Sequence, residues 1–342
     1  MMIISVIGGG SWGTALANFL AGLNHDVRLW ALEPEIVDDI RNNQANSVFL
    51  PGVVLNESIR ATTNFKTALS GTELVLSVVP TQFVRSVLVR MRDFLPQNVI
   101  MVSASKGIEN TTLCRVTEIF KDELRGRVGA SRILVLAGPS FAKEVARSQP
   151  TAAVIAGKDI NLAAKIQHEF SSDLFRLYTS DDLIGLEICG AIKNVIALAS
   201  GACTGLGLGD NSRAALITRG IAEIARLVTK MGGRSQTVAG LAGVGDMVLT
   251  CTSTTSRNFS FGYRLGRGEK PQNITDSMRM IAEGVKTSIS AVALAEREGV
   301  EMPICQAIYA VIYEGLPPLE AVRQLMTRGL RHEWEPEPGE VP

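Results

Sequence analysis

Short runs of apolar and β-branched residues alternate with helical patterns over the first half of the chain. Most of these runs are nearly continuous, which is typical of parallel strands buried on both faces. The segments 14–23, 81–95 and 161–171 lie between them and have apolar residues at helical spacing. This order predicts an α/β fold with a Rossmann-like, doubly wound parallel sheet. The predicted strands are 3–7, 27–30, 74–79, 99–103, 133–137, 152–156 and 175–179.

The strand pattern ends near residue 180. We therefore expect a first domain over residues 1–180 and a second, all-helical domain over residues 181–330. Residues 331–342 combine prolines, glutamates and a glycine, which predicts a loose tail. The helical patterns of the second domain lie at 182–200, 213–231, 288–298, 303–314 and 317–328, separated by glycine-rich or polar loops.

Composition narrows the class of partner. The 34 basic side chains balance the 34 acidic ones, so the expected ligand is a small molecule and not nucleic acid or an anionic membrane. Five cysteines without a CxxC pair favour reduced thiols in a cytoplasmic protein, and three scattered histidines argue against a metal site. The N-terminus lacks a basic leader and the chain lacks a run of about 18 uninterrupted apolar residues, so neither a signal peptide nor a spanning helix is expected.

A glycine motif follows the first predicted strand. Gly8, Gly10 and Gly13 fit GxGxxG, with a strand before them and a helical pattern after them. Such glycines permit a tight turn and close approach of a pyrophosphate to backbone N–H groups, so the first domain is predicted to bind a dinucleotide. Glu33, after the second strand, is either a ligand of the ribose hydroxyls or an acidic residue at a helix start, because Pro34 follows it.

Two later strands are followed by polar segments. Lys106 lies in SASKG, and Gly138 and Ser140 lie in AGPSFAKE. Carboxyl ends of strands in an open α/β sheet face the ligand crevice, so these residues are candidates to contact substrate. The alternatives are a surface lysine in a turn and a serine that caps a helix.

The segment 240–262 is unusual because Asp246 lies among small apolar residues and TSTTSRN follows. The hydroxyls, the Arg257 guanidinium and the Asn258 amide of that stretch suit a phosphate. An ordinary polar loop explains the composition equally well.

Lys193 lies in the apolar pattern GLEICGAIKNVIALAS. Glu187 is the other charged residue between Leu183 and Gly209, and it is not within local helical reach of Lys193. The lysine therefore either extends its ammonium to water or holds it beside a reactive group.

Taken together, the motifs resemble one family over nearly the whole chain, the bacterial-type NAD(P)-dependent glycerol-3-phosphate dehydrogenases. The resemblance implies reversible hydride transfer between a nicotinamide dinucleotide, NAD or NADP, and a three-carbon phosphate in the cytoplasm. The reaction interconverts dihydroxyacetone phosphate and sn-glycerol 3-phosphate, a precursor in phospholipid biosynthesis, and family habit implies a homodimer. The segments that carry the resemblance are GGGSWGTALA, SASKG, GPSFAKE, GAIKNVIALASG, LAGVGDM, TTSRN and AEGVKT.

The family's motifs imply roles for individual residues. Lys193 would be the proton acceptor. The residues that would surround the substrate are Lys106, Gly138, Ser140, Lys193, Asp246, Ser256, Arg257 and Asn258. Those that would contact the cofactor, besides the three glycines of the turn, are Ser11, Trp12, Lys106, Ala142, Arg257, Ile281 and Glu283.

One position departs from the family pattern. Many bacterial members have a histidine or arginine two residues after the tryptophan that ends the second strand, and this chain has Leu32 there. A preference for NADP is therefore in doubt. From the residues alone, other lysine-dependent dehydrogenases of the 3-hydroxyacid, 6-phosphogluconate or ketopantoate type stay open, although TTSRN favours a phosphate over ketopantoate. A regulator that binds a dinucleotide without turnover also stays open.

Overall fold

The computed structural model describes residues 1–278, 280, 282–330 and 332–333. Within them the strands form an eight-stranded sheet in the order β3-β2-β1-β4-β5-β6-β7-β8. The sheet is parallel except between β6 and β7. The strands are β1 (Ile3–Ile7), β2 (Asp26–Trp30), β3 (Arg60–Thr62), β4 (Leu74–Ser77), β5 (Ile100–Ser103), β6 (Ile133–Ala137), β7 (Thr151–Gly157) and β8 (Phe175–Ser180).

The predicted α/β fold is confirmed, with two corrections to the sheet. Strand β3 was missed because it has only three residues, Arg60–Thr62, and pairs only with β2. Strand β7 runs antiparallel to β6, against the prediction of a parallel sheet. A continuous apolar run shows that a strand is buried on both faces, but it carries no information about the direction of the strand.

Helices cover both faces of the sheet and make up the region after Ser180. In the described part of the chain they are α1 (Ser11–Gly22), α2 (Pro34–Asn43), α3 (Phe65–Leu69), α4 (Thr81–Met91), α5 (Val116–Glu123), α6 (Ala142–Ala146), α7 (Ile160–Phe170), α8 (Leu183–Gly205), α9 (Asp210–Lys230), α10 (Ser235–Ala239), α11 (Asp246–Thr252), α12 (Arg257–Gly266), α13 (Pro271–Ser277), α14 (Glu283–Glu298), α15 (Pro303–Tyr309) and α16 (Pro318–Met326). Short 3₁₀ turns lie at Arg92–Phe94 and Ala130–Arg132, and π turns lie at Leu241–Gly245 and Ala310–Glu314.

The segment 240–262 is helical over most of its length, but residues 253–256 of the TSTTSRN stretch form a short loop between α11 and α12, so the alternative of a polar loop holds for those four residues. Its small and hydroxylated residues hid the pattern, because helices α11 and α12 are short and separated by only four residues. The predicted tail at 331–342 lies outside the described residues except for His332 and Glu333.

Helix α8 is the central helix of the region after the sheet. Its length and composition would suit a membrane span, yet 94% of its most apolar window is buried inside the protein. Small residues let α12 approach it closely: a Cβ on Gly201 would lie 2.0 Å from the carbonyl oxygen of Phe259, and one on Gly262 would lie 1.9 Å from that of Leu198. This contact fixes the N-terminus of α12 beside the middle of α8, where Lys193 lies.

Candidate active site

Lys193 is buried at the centre of the candidate site, with 4% of its surface exposed. Its Nζ donates hydrogen bonds of 2.7 Å to Oδ1 of Asp246 and 2.7 Å to Oγ1 of Thr250, both on α11. The ammonium therefore does not extend to water. Its acidic partner comes from a helix that begins 53 residues later in the chain.

A second ammonium shares the same carboxylate. Lys106, in the loop after β5, donates 2.9 Å to Oδ2 of Asp246 and 3.2 Å to the carbonyl oxygen of Gly138. Gly138 has a φ of +138°, and a Cβ there would lie 2.9 Å from Cα of Ala153, so only glycine suits this turn. The alternative of Lys106 as an ordinary surface lysine is wrong, since its side chain is only 18% exposed and is paired.

Burial and charge together set the proton affinity of this cluster. The pKa of Lys193 is lowered to about 8: burial is the main cause, the Asp246 carboxylate opposes the fall, and the Lys106 ammonium adds to it. Burial alone would raise the pKa of Asp246, but the two ammoniums outweigh it and hold that pKa below its usual value. Near neutral pH, Lys193 can therefore both give and accept a proton.

A chain of amides borders the lysines. The side-chain amide of Asn194 donates to the carbonyl oxygens of Gly190 (3.2 Å) and Lys106 (3.4 Å). Asn258 donates 2.9 Å to Oδ1 of Asn194, and its own Oδ1 accepts a hydrogen bond from the backbone N–H of Gly284. Asn258 thus holds α8, α12 and α14 together beside the site.

The start of α12 faces this cluster. Ser256 is its N-cap and accepts a hydrogen bond from the backbone N–H of Phe259 at 3.2 Å. Arg257 follows with an exposed side chain that has no hydrogen-bond partner among the described residues. Its charge acts on Glu283, the first residue of α14: burial raises the pKa of that carboxyl, and Arg257 opposes the rise.

Ser140 lies at the edge of the site, two residues before Ala142 begins α6. The interpretation of Ser140 as a helix cap is wrong: α6 begins at Ala142 with Phe141 at its N-cap. The hydroxyl of Ser140 instead donates 3.0 Å to the carbonyl oxygen of Gly138, which is the oxygen that Lys106 also contacts. Another predicted cofactor residue, Ile281, lies outside the described residues.

The glycine turn fits a dinucleotide. Gly8 has a φ of +124°, and a Cβ on Gly13 would lie 1.9 Å from the carbonyl oxygen of Gly8. A Cβ on Gly10 would have no heavy atom within 4 Å, so the backbone there is open to a ligand. Gly10 is also the N-cap of α1 without a side-chain cap, and the first N–H groups of a helix lack intrahelical partners. Trp12 adds a buried indole N–H without a partner among the described residues.

Three other residues near the predicted cofactor site, Ser11, Leu32 and Glu33, differ in how far they are available to a ligand. The hydroxyl of Ser11 lies 2.5 Å from the carbonyl oxygen of Phe49, so its proton is already used within the protein. Glu33 is the N-cap residue of α2 with Pro34 at the first position, which confirms a helix start there and leaves the ribose role a prediction. Leu32 beside it is 59% exposed.

Two residues of the cluster were missed from the sequence. Thr250 lies one helical turn after Asp246 on α11, so a helix prediction for this segment would have placed its hydroxyl beside the Asp246 carboxylate. Asn194 follows Lys193 directly, and nothing in its local pattern indicated the Asn258 amide as its partner.

Across the described ranges, no group of three or more His, Cys, Asp or Glu side chains is arranged to hold a metal ion.

Comparison with known proteins gives a consistent result over most of the chain. The model of the NAD-dependent glycerol-3-phosphate dehydrogenase N-terminus matches residues 3–163, and that of the C-terminus matches residues 182–323. The glycerol-3-phosphate dehydrogenase [NAD(P)+] of Citrifermentans bemidjiense is 50% identical over 330 residues, covering 96% of this chain and 98% of the relative. That of Syntrophobacter fumaroxidans is 49% identical over 332 residues, covering 97% of each. The crystal structure of glycerol-3-phosphate dehydrogenase from Coxiella burnetii matches with a TM-score of 0.91 at 37% identity, covering 96% of this chain and 99% of that one.

Proposed function

The chain belongs to the family of NAD-dependent glycerol-3-phosphate dehydrogenases, and we propose that it interconverts dihydroxyacetone phosphate and sn-glycerol 3-phosphate with NAD(P)H, using Lys193 as the general acid and base. The product would supply glycerophospholipid synthesis. The observation that carries the proposal is the buried Lys193 ammonium, bonded to Asp246 and facing Lys106 at the ligand end of the sheet.

A bound nicotinamide dinucleotide would supply the hydride to the central carbon of the substrate, or accept it in the reverse direction. Charge then develops on the adjacent oxygen, which the protonated Lys193 neutralises by giving up a proton. In the oxidation direction the neutral amine of Lys193 accepts the proton of the substrate hydroxyl at that same carbon. Asp246 and Thr250 orient the amine, because both accept hydrogen bonds from its Nζ at 2.7 Å.

The phosphate of the substrate would lie at the N-terminus of α12. There the Arg257 guanidinium, the backbone N–H groups of the first turn and the helix dipole all favour an anion. Asn258 has its amide oxygen and one N–H already bonded, so it contributes at most its second N–H. Lys106, Gly138 and Ser140 would border the other side of the substrate.

The cofactor would lie along the N-terminus of α1 with its pyrophosphate against the open backbone at Gly10. Trp12 could donate its unpaired indole N–H. The family motifs add Ala142, Glu283 and Ile281 to the residues proposed to contact the cofactor.

We also propose that the chain divides into two domains near residue 180, where the last strand ends, and that the protein is a cytoplasmic homodimer.

The pH dependence of turnover tests the role of Lys193. Because its pKa is lowered to about 8, kcat/KM for glycerol 3-phosphate oxidation is expected to rise with pH and to level off above about 8, since the base must be neutral. In the reduction direction, kcat/KM is expected to fall through the same range, since the acid must be protonated. Measuring both profiles with saturating cofactor checks the opposite signs, and a profile flat from about pH 6 to 10 in both directions would rule out the assignment.

Cofactor preference is a separate expectation. A 2′-phosphate near Glu33 would meet a carboxylate, and the exposed Leu32 offers it no cation. NADH is therefore expected to serve at least as well as NADPH. Comparing kcat/KM for the two reduced cofactors decides this, and a preference for NADPH above about tenfold, or about 1.4 kcal/mol, would contradict it.

A further inference from the structure

Helix α8 carries a second buried charge that the proposed chemistry does not use. Glu187 is 7% exposed and lies six residues before Lys193, which is about 9 Å along the helix axis. Its Oε2 accepts 2.6 Å from Nη1 of Arg115 and 2.7 Å from Oγ1 of Thr117, and its Oε1 accepts 2.8 Å from the backbone N–H of Thr117. Burial raises the pKa of this carboxyl and the three donors oppose the rise. The ionised form of Glu187 is therefore stabilised by these donors.

These donors close the segment that carries the second lysine of the site. Residues 104–115, which we call the lysine loop, join β5 to α5 and contain Lys106 near their start. Arg115 ends the lysine loop as the N-cap of α5, and a β-bridge pairs it with Ile108. Arg115 also donates 2.8 Å to Oε1 of Glu118, so the guanidinium is held between two carboxylates.

The lysine loop contacts one stripe of α8. Glu187, Gly190 and Asn194 have the spacing i, i+3 and i+7, which places them on one face of a helix. Glu187 binds the end of the loop, and a Cβ on Gly190 would lie 3.8 Å from Cγ of Lys106. The amide of Asn194 reaches the carbonyl oxygen of Lys106 at 3.4 Å. Of these three contacts, only the one at Glu187 is ionic.

We propose that Glu187 is a positioning residue, which fixes the lysine loop on α8 and thereby sets the distance between the Lys106 and Lys193 ammoniums on the shared Asp246 carboxylate. It touches neither substrate nor cofactor and acts through Lys106. The inference rests on the proposed role of Lys193.

The sign of its effect follows from the charges that face Lys193. These are the Lys106 ammonium of the lysine loop, the Asp246 carboxylate of α11 and the Glu283 carboxyl of α14. The Cys251 thiol of α11 also faces Lys193 but is neutral, because burial raises its pKa to about 12. If the loop loosens, Lys106 recedes and repels the Lys193 ammonium less. Asp246 is then no longer shared and attracts that ammonium more. Both changes raise the pKa of Lys193 towards its ordinary value.

The test is Glu187→Gln, assayed as the pH profile of glycerol 3-phosphate oxidation. The midpoint near pH 8 is expected to move up by at least about 0.5 unit, so that kcat/KM near pH 7 falls by about threefold or more and part of the loss returns at high pH. Loss of the carboxylate charge by itself would move the midpoint down, so a rise is diagnostic of displacement.

Two further variants separate positioning from stability. Thr117→Val removes one donor to Glu187 without changing any charge, so it is expected to give a smaller upward shift, and it replaces Glu187→Gln if that variant does not fold. Glu223→Gln is the control: Glu223 is buried on α9 and accepts hydrogen bonds from the backbone N–H groups of Ile304 and Cys305. It is expected to lower the thermal midpoint without moving the pH midpoint.

An unchanged pH midpoint in folded Glu187→Gln and Thr117→Val variants would overturn the inference. An equal upward shift in Glu223→Gln would also overturn it, because the effect would then be one of general destabilisation. The proposed function fails by a different result, full turnover of a protein without the Lys193 amine, so the two failures can be told apart.

Discussion

Replacing Lys193 with methionine is expected to lower kcat by at least about 100-fold while the protein stays folded, because positioned acid–base catalysis contributes about 10² to 10⁴-fold. Methionine keeps most of the side-chain volume and removes the amine. The buried Asp246 carboxylate keeps its hydrogen bond to Lys106 at 2.9 Å, so it is not left without a cation. A modest fall in thermal midpoint is expected, not unfolding.

The measurement is kcat in both directions, beside the thermal midpoint and the cofactor dissociation constant. Cofactor affinity is expected to change little, because the glycine turn joins β1 to α1 whereas Lys193 belongs to α8. Lys230→Met is a matched control, since Lys230 is exposed at the end of α9. A folded Lys193→Met protein that keeps more than about a tenth of wild-type turnover would show that the lysine is structural.

Removing the guanidinium of Arg257 is expected to cost about 2 to 5 kcal/mol in kcat/KM, the range for losing one partner of a desolvated charge pair. The side chain is exposed and without a hydrogen-bond partner among the described residues, so it is free to close on a phosphate. Arg257→Lys is expected to rescue poorly, because a point charge cannot reproduce the two parallel hydrogen bonds of a guanidinium.

Kinetics with dihydroxyacetone phosphate and with each cofactor check this expectation. Some loss of cofactor affinity is also expected, because the charge of Arg257 acts on Glu283, which belongs to the proposed cofactor contacts. Arg267→Ala is the matched control, since Arg267 lies exposed at the other end of the same helix. Wild-type kinetics for Arg257→Ala would reduce the TTSRN segment to a helix start without a role in binding.

Local chemistry made the first part of this protein predictable. The turn at Gly8 and Gly13 follows from which residues tolerate positive φ and which leave room for a neighbouring backbone, and both conditions are met over six residues of chain. Strand β6 agrees with its predicted bounds because its apolar run is buried on both faces and lies between Arg132 and Gly138. The sequence also predicted α8 from its apolar residues, and nearly all of the residues of this helix are buried in the structure.

Other features of the fold were not predicted, because the local sequence gives no signal for them. Strand β3 is short and has only one neighbour, so its pattern is too weak to detect. The antiparallel direction of β7 depends on its packing beside β6 and not on its own composition. Helix α12 was hidden by its hydroxyl-rich start, although Ser256 is in fact its cap.

The sequence by itself determined the class of the fold, the dinucleotide turn and the presence of a lysine in an apolar helix that needs an explanation. Only the tertiary structure decided what surrounds that lysine. Asp246 meets Lys193 across 53 positions and Lys106 across 140, and Glu187 meets Arg115 across 72. Helical periodicity describes neighbours three and four residues apart, so it cannot identify such partners. Burial and the Lys106 ammonium lower the pKa of Lys193 against the opposing Asp246 carboxylate, and all three effects exist only once the chain has folded.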